Sequence, residues 1–156
     1  SSHEPPLPPR RLNMALGLIK NMRELQALIQ DLESPSSSVR DKAALDLMDI
    51  GDERALVPLL EAIAKPENLN HRGTLVYALG GFNCEPILEV LVHLVLTGNF
   101  EVSTGAFGII HESATNPTAI ERVKGQVQHY SASALVAEHH KLGRVALIEF
   151  VEAVGE

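Results

Sequence analysis

From Met14 onward the apolar residues fall three or four positions apart along nearly the whole chain, the spacing of helices that each bury one side. Leu16, Ile19, Met22, Leu25, Leu28, Ile29 and Leu32 form the first such stripe. Asn21 followed by Glu24 is a capping-box-like pair that can start a fresh helix within it. Ser34-Pro35-Ser36-Ser37-Ser38 breaks the pattern, and Ser37 or Ser38 is placed to cap the next helix, which carries Val39, Ala43, Leu47 and Ile50 on one face. Gly51-Asp52 closes that helix, with Asp52 available to cap its successor. Leu56, Leu59, Leu60 and Ile63 make the following stripe, which stops at Lys65-Pro66-Glu67-Asn68. Alternating β-branched runs and Asn-Gly turns are absent, so the pattern predicts an all-α chain.

The pattern then repeats. Shifted by thirty-two positions, Arg40 falls on Arg72, Ala43 on Leu75, Leu47 on Leu79, Leu56 on Leu88, Leu59 on Leu91 and Ile63 on Val95. In a third copy Ala106 and Ile110 take the places of Ala43 and Leu47, and the partner helix begins near Asn116-Pro117 with Ile120, Val123 and Val127 as its stripe. Tyr130 to His140 and Leu142 to Val154 both read as helical, with Gly143 as a joint and Val145, Ile148, Phe150 and Val151 on the apolar side. One helical hairpin cannot bury its own stripe, so a sequence with this period predicts stacked hairpins that seal one another.

The stretch Ser38 to Asp52 resembles a HEAT repeat of the short type found in bilin lyases. Val39-Arg40, the small pair Ala43-Ala44, Leu47 and the Gly51-Asp52 turn occupy the places that family uses, and Pro58-Leu59-Leu60 matches the following first helix. Later copies depart from it: His71-Arg72 and Val102-Ser103 replace Val-Arg, and Asn83-Cys84 replaces the Gly-Asp turn. The resemblance covers roughly residues 22–129 and implies a short α-α superhelix of about four HEAT-like hairpins. It further implies that the helices starting with Val39, His71 and Val102 line a concave side. On those helices Lys42, Thr74 and Gly105 are equivalent, as are Leu45, Tyr77 and Gly108, and Asp49, Gly81 and Glu112. Lys42, Leu45, Asp49, Thr74, Tyr77 and Glu112 are therefore the expected contact residues for a protein partner. In such repeats the Arg40 and Arg72 position bonds to carboxylates or carbonyls of the neighbouring unit, and Asp52 and Glu85 stand at suitable places in the sequence.

Composition narrows the choice of function. Hydrophobic residues make up 45% and charged residues 21% of 156 positions, the balance of one globular domain. Residues 1–13, with four prolines between Pro5 and Pro9, read as an extended lead-in, and residues 14–156 as a single repeat domain. Pro5, Pro8 and Arg10 also match a proline-rich ligand for SH3-type grooves, although a linker is the plainer reading. The net charge of −7 and the lack of Trp disfavour nucleic acid, anionic membrane and the HEAT-like DNA glycosylases, which rely on a basic, aromatic face. A single cysteine, Cys84, excludes an internal disulfide, and no apolar run approaches the ~20 residues that cross a bilayer. A cytoplasmic, bacterial protein, monomeric or weakly dimeric, is the expectation.

No catalytic constellation emerges. His111-Glu112 resembles the His-Glu dipeptides of deoxyhypusine hydroxylase, a di-iron HEAT enzyme, but that enzyme needs several such pairs. His139 and His140, adjacent on a helix, are expected to diverge by about 100°. Cys84 lies in a predicted turn before a helix, where a thiolate gains some stability, with no identifiable base beside it. No Walker-type phosphate loop is present. The reading is thus a protein-binding adaptor or inhibitor, an immunity protein being one form, with no cofactor and no metal. The alternative is a HEAT-superfamily enzyme, lyase-like or metal-dependent.

Overall fold

The computed structural model describes residues 3–154, and among these no strand occurs. Eight α-helices follow one another: α1 (Pro9–Asp31), α2 (Ser37–Ile50), α3 (Leu56–Ala64), α4 (Gly73–Ala78), α5 (Leu88–Thr97), α6 (Phe100–Ser113), α7 (Pro117–Val127) and α8 (Glu138–Val154). Short 3₁₀ turns over Glu53–Ala55, Pro66–Asn68 and Glu85–Ile87 lead into or out of the odd-numbered helices. The helices pair as antiparallel hairpins, α1 on α2, α3 on α4, α5 on α6 and α7 on α8. The even-numbered helices then stack in order, α2 on α4, α4 on α6 and α6 on α8. The result is an all-α superhelix of four hairpins in two layers. Its core runs unbroken between the layers through Leu47, Leu59, Leu75, Leu79, Leu91, Val95, Ile110, Val123 and Leu147.

Local chemistry accounts for the hairpin ends. Ser36, rather than Ser37 or Ser38, caps α2: its Oγ accepts from the Val39 N–H at 3.4 Å, while Ser38 bonds to the Ser36 hydroxyl. Gly51 ends α2 in the left-handed region with φ 66°, a conformation a side chain resists, and its N–H closes on the Leu47 carbonyl. Asp52 caps the next turn by accepting from the Arg54 N–H at 2.9 Å, as its position implied. Asn99 and Asn116 cap α6 and α7 in the same way.

Three stretches differ from the sequence pattern. Helix α1 begins at Pro9, not after Asn13, because proline suits the first helical position, where the missing N–H costs nothing. It also runs through Asn21 without a restart, since nothing nearby interrupts its backbone ladder. Residues 131–137 are not helical beyond a 3₁₀ turn at Ala132–Ala134; Ser131 and Ser133 bond to each other, side-chain chemistry that competes with helix. Finally, α8 passes straight through Gly143. That glycine is a contact point: a Cβ there would stand 2.9 Å from Val95 Cγ1 on α5. Leu147 is buried on α8 in place of Val145, which is half exposed.

The first three hairpins share one device where their two helices join. At the start of α2, Arg40 Nη1 donates to the Ser34 carbonyl just beyond α1 at 2.8 Å. Arg72, before α4, reaches back with Nη1 to the Ile63 carbonyl in α3 at 3.5 Å. Ser103 on α6 donates to the Val95 carbonyl in α5 at 2.6 Å. All three side chains are buried. The arginines thus serve carbonyls, one of the two partner types expected, while Asp52 pairs with Arg54 and Glu85 with Asn116. Ser103→Ala is expected to lower the free energy of urea unfolding by about 1–3 kcal/mol, because it strands a buried carbonyl. Gly108→Ala, on an open stretch of α6, is expected to raise it by up to ~1 kcal/mol.

Candidate functional site

Helices α2, α4 and α6 present the six residues singled out from the sequence. On α2, Lys42, Leu45 and Asp49 are exposed; on α4, Tyr77 is exposed and Thr74 half-buried; on α6, Glu112 is exposed. Leu45 keeps 37% and Tyr77 61% of their surface in solvent; on α2 Val39 and Ile50, expected on the apolar face, are exposed as well, whereas the other apolar residues of α4 are buried. They occupy the same register position one unit apart, and Gly108 holds that position on α6 with open space around it. Lys42 is engaged with its own helix: its Nζ lies 2.9 Å from Asp46 Oδ2, and that hydrogen bond raises the ammonium above its ordinary value. Among the described residues no hydrogen bond joins any of the six to another. None of them lines the larger cavities, so the face is an open surface and not a pocket.

The glycines divide into two groups. A Cβ on Gly81 would stand 2.6 Å from Met48 Cγ and from the Met48 carbonyl, so Gly81 lets α2 and the end of the α4 segment touch. At Gly73 the Glu101 side chain fills the space a Cβ would take, and it does so at the first turn of α4. Gly80, Gly105 and Gly108 have nothing nearer than 3.8 Å. Packing therefore accounts for Gly73 and Gly81, Gly105 lies against Val76 of α4, and Gly108 is left as bare backbone on the same face as Leu45 and Tyr77.

The rim at the starts of these helices carries charge that the sequence did not single out. Asp41 has a buried, unpartnered Oδ1. Burial pushes its carboxyl above the ordinary value, an effect offset in part by Arg40 and His71 and reinforced by Glu101. Beside it, Ser34, Ser37, Arg40, Lys65, Asn68 and His71 line a cleft of about 430 Å³. Only contact information across the α1–α2 and α3–α4 turns could have revealed this grouping.

The units are also tied along the other layer. Glu53 accepts from the Asn83 N–H at 3.3 Å, and Glu85, thirty-two residues on, accepts from Asn116 Nδ2 at 3.3 Å. Glu89 holds Arg122 through two bonds of 2.7 Å, and that pairing keeps the carboxyl below its ordinary value. These partners lie one repeat apart, so the spacing itself was the available signal.

The candidate chemical groups take ordinary places. His139 and His140 do not diverge: at the first turn of α8 both Nε2 atoms reach the Gly98 carbonyl, at 2.9 and 2.5 Å. His93 Nδ1 bonds the Tyr130 hydroxyl, and the His111 ring packs beside Phe150. Among the described residues no three His, Cys, Asp or Glu side chains are grouped to hold a metal ion, and no helix is long and apolar enough to cross a membrane. Cys84 is 1% exposed, and its Sγ donates to the Leu79 carbonyl at 3.0 Å. Burial, with a smaller contribution from Glu53, pushes its thiol up to about 11.

Residues 39–65 match the model of the PBS lyase HEAT-like repeat, and the four stacked hairpins of the described residues are consistent with a helical repeat superhelix of that kind. The match spans α2, the Gly51-Asp52 turn and α3, the segment whose motif is most complete. No curated protein matches the chain. Because the thiolate is scarce and the sulfur sealed, Cys84 is expected to resist Ellman's reagent at pH 8 in the native protein and to react fully in denaturant. Rapid native labelling would show that this joint opens readily.

Proposed function

We propose that the protein binds another protein through the exposed face of α2, α4 and α6, acting as an adaptor or inhibitor. The observation that carries this reading is the pair Leu45 and Tyr77. Two bulky apolar side chains stand in solvent at equivalent positions on adjacent helices of one layer. Their neighbours supply the usual surroundings of an interface centre: Lys42, Asp49 and Glu112 as a polar margin, and Gly108 as backbone that a partner can approach closely. Tyrosine is a frequent energetic anchor in interfaces, since a large amphipathic ring is fixed by only two torsions. The overall charge of −7 favours a partner with a basic patch, mainly through faster encounter.

The test is the double variant Leu45→Asp, Tyr77→Ala. Both positions are exposed, so helical content and the unfolding midpoint are expected to stay unchanged. Capture of a cognate protein from the source cell, followed by reconstitution of the purified pair, is expected to weaken at least tenfold, the loss of roughly 1.4 kcal/mol or more that an interface anchor supplies. Equal affinity of the variant and the wild type would remove this face from consideration.

A further inference from the structure

Helix α1 carries two apolar sides. Leu25, with Leu32 at the helix end, is buried in the core, whereas Leu12, Leu16 and Ile19 keep 44%, 55% and 46% of their surface in solvent. Counted at 100° per residue, Leu12 and Ile19 fall within about 60° of Leu16, and so do Lys20 and Arg23, on the side opposite Leu25. Arg10 and Arg11 precede the stripe. Residues 9–23 hold these four cations and no carboxylate, and all of them are exposed. An end helix of an isolated array carries a polar outer face; this one carries apolar residues between two cationic ends.

The exposed side of α2, α4 and α6 has the reverse pattern. Those helices hold five carboxylates against two cations, histidine counted neutral. Arg40 is buried and bonded to the Ser34 carbonyl, and Lys42 is taken up by Asp46. Asp41, Asp49, Glu101 and Glu112 are left, and among the described residues none of them is in a salt bridge. By the same count Asp41 and Asp49 fall within about 40° of Leu45, and Glu101 and Glu112 within about 40° of Gly108. Because α4 lies between α2 and α6, the two pairs form rows on either side of Tyr77. The Glu101 side chain lies over Gly73, near enough to Asp41 to reinforce the rise that burial produces in its carboxyl. The lengths agree as well. Asp41 to Asp49 is about 12 Å along its helix, Glu101 to Glu112 about 16 Å, and Arg11 to Lys20 on α1 about 14 Å.

We infer that α1 of a second copy lies along α4, with Leu16 and Ile19 against Leu45 and Tyr77 and its cationic ends between the two carboxylate rows. The inference rests on the protein-binding face proposed above and names an occupant for it. Within one copy α1 is held on the buried side of α2 through Leu25 and Leu32, so only another copy brings it to this face. Pairing of two α1 helices sets cations against cations. The groove between α7 and α8 offers α1 no such match, since Glu121 and Glu152 on its rim are balanced by Lys124 and Arg144. A contact between unlike surfaces adds copies until a ring or a reciprocal pair closes it.

Sedimentation velocity on the full chain tests this with no other protein present. At low salt the weight-average mass of the wild type is expected to climb from 16.9 kDa to at least twice that value as concentration rises into the sub-millimolar range, and to fall back as salt screens the charges. Leu16→Glu with Ile19→Glu spoils the helix, and Asp49→Lys with Glu112→Lys spoils the face. All four positions are exposed, so circular dichroism is expected to match the wild type while each variant stays monomeric. Mixed together, the two variants are expected to form a heterodimer, since each retains the surface the other lacks. A wild type that stays at 16.9 kDa throughout overturns the inference, as does a mixture that remains monomeric. Association that ignores salt, or that survives Asp49→Lys with Glu112→Lys, overturns it equally. Capture of a cognate protein is judged separately by Leu45→Asp with Tyr77→Ala, so a monomeric wild type removes the second copy as occupant and leaves the proposed face standing.

Discussion

A helix that ends inside a protein leaves carbonyls with no partner in its own backbone, and buried carbonyls do not stay unpaired. In this array each odd-numbered helix ends against the start of the even-numbered helix that follows. The chain answers with a side-chain donor at one recurring register: Arg40 to Ser34, Arg72 to Ile63 and Ser103 to Val95. The donor comes from the next helix, so the bond that satisfies the carbonyl also sets how the two helices meet. Repeating the device at the first three joints gives those hairpins similar geometry, and similar hairpins stack. The price is local strain in polarity: Arg40 and Arg72 each keep a buried Nε with no partner. Burial also lowers the Arg72 guanidinium below its ordinary value. Ser103 does the same task with a neutral hydroxyl, which explains how the third copy can lose the arginine and keep the fold.

Much of this architecture was legible in the sequence because it is local and periodic. The thirty-two-residue shift identified the hairpins, the Gly51-Asp52 turn identified a helix end and a cap, and the stripes identified Leu47, Leu79 and Ile110 as core. What failed to show was decided by contacts rather than by pattern. Gly143 read as a joint because an isolated glycine weakens helix; only its closeness to Val95 reveals that it lets α8 approach α5. The segment after Tyr130 read as helix from composition, but serine side chains satisfy the turn themselves. The partners of Arg40 and Arg72 were ambiguous because a guanidinium suits a carboxylate and a carbonyl equally well in sequence.

The proposed binding face stands at a different level. The sequence placed Leu45 and Tyr77 at one register position, and the structure leaves both exposed on neighbouring helices. It does not gather them with Lys42, Asp49, Thr74 and Glu112 into a cavity. Flat exposed faces of this kind recognise other surfaces through breadth and shape, whereas small molecules need enclosure. Gly108 extends that face as open backbone.

Helix α5 packs on its hairpin partner α6, on the next outer helix α7 and on the final helix α8, whereas α1 packs mainly on α2. The four hairpins are therefore unequal links. Under tension applied at the two termini, α1, held mainly through Leu25, Leu28, Ile29 and Leu32, would peel away at low force. The layers around α5 would yield last and together, so that the molecule lengthens by a soft step followed by a stiff one.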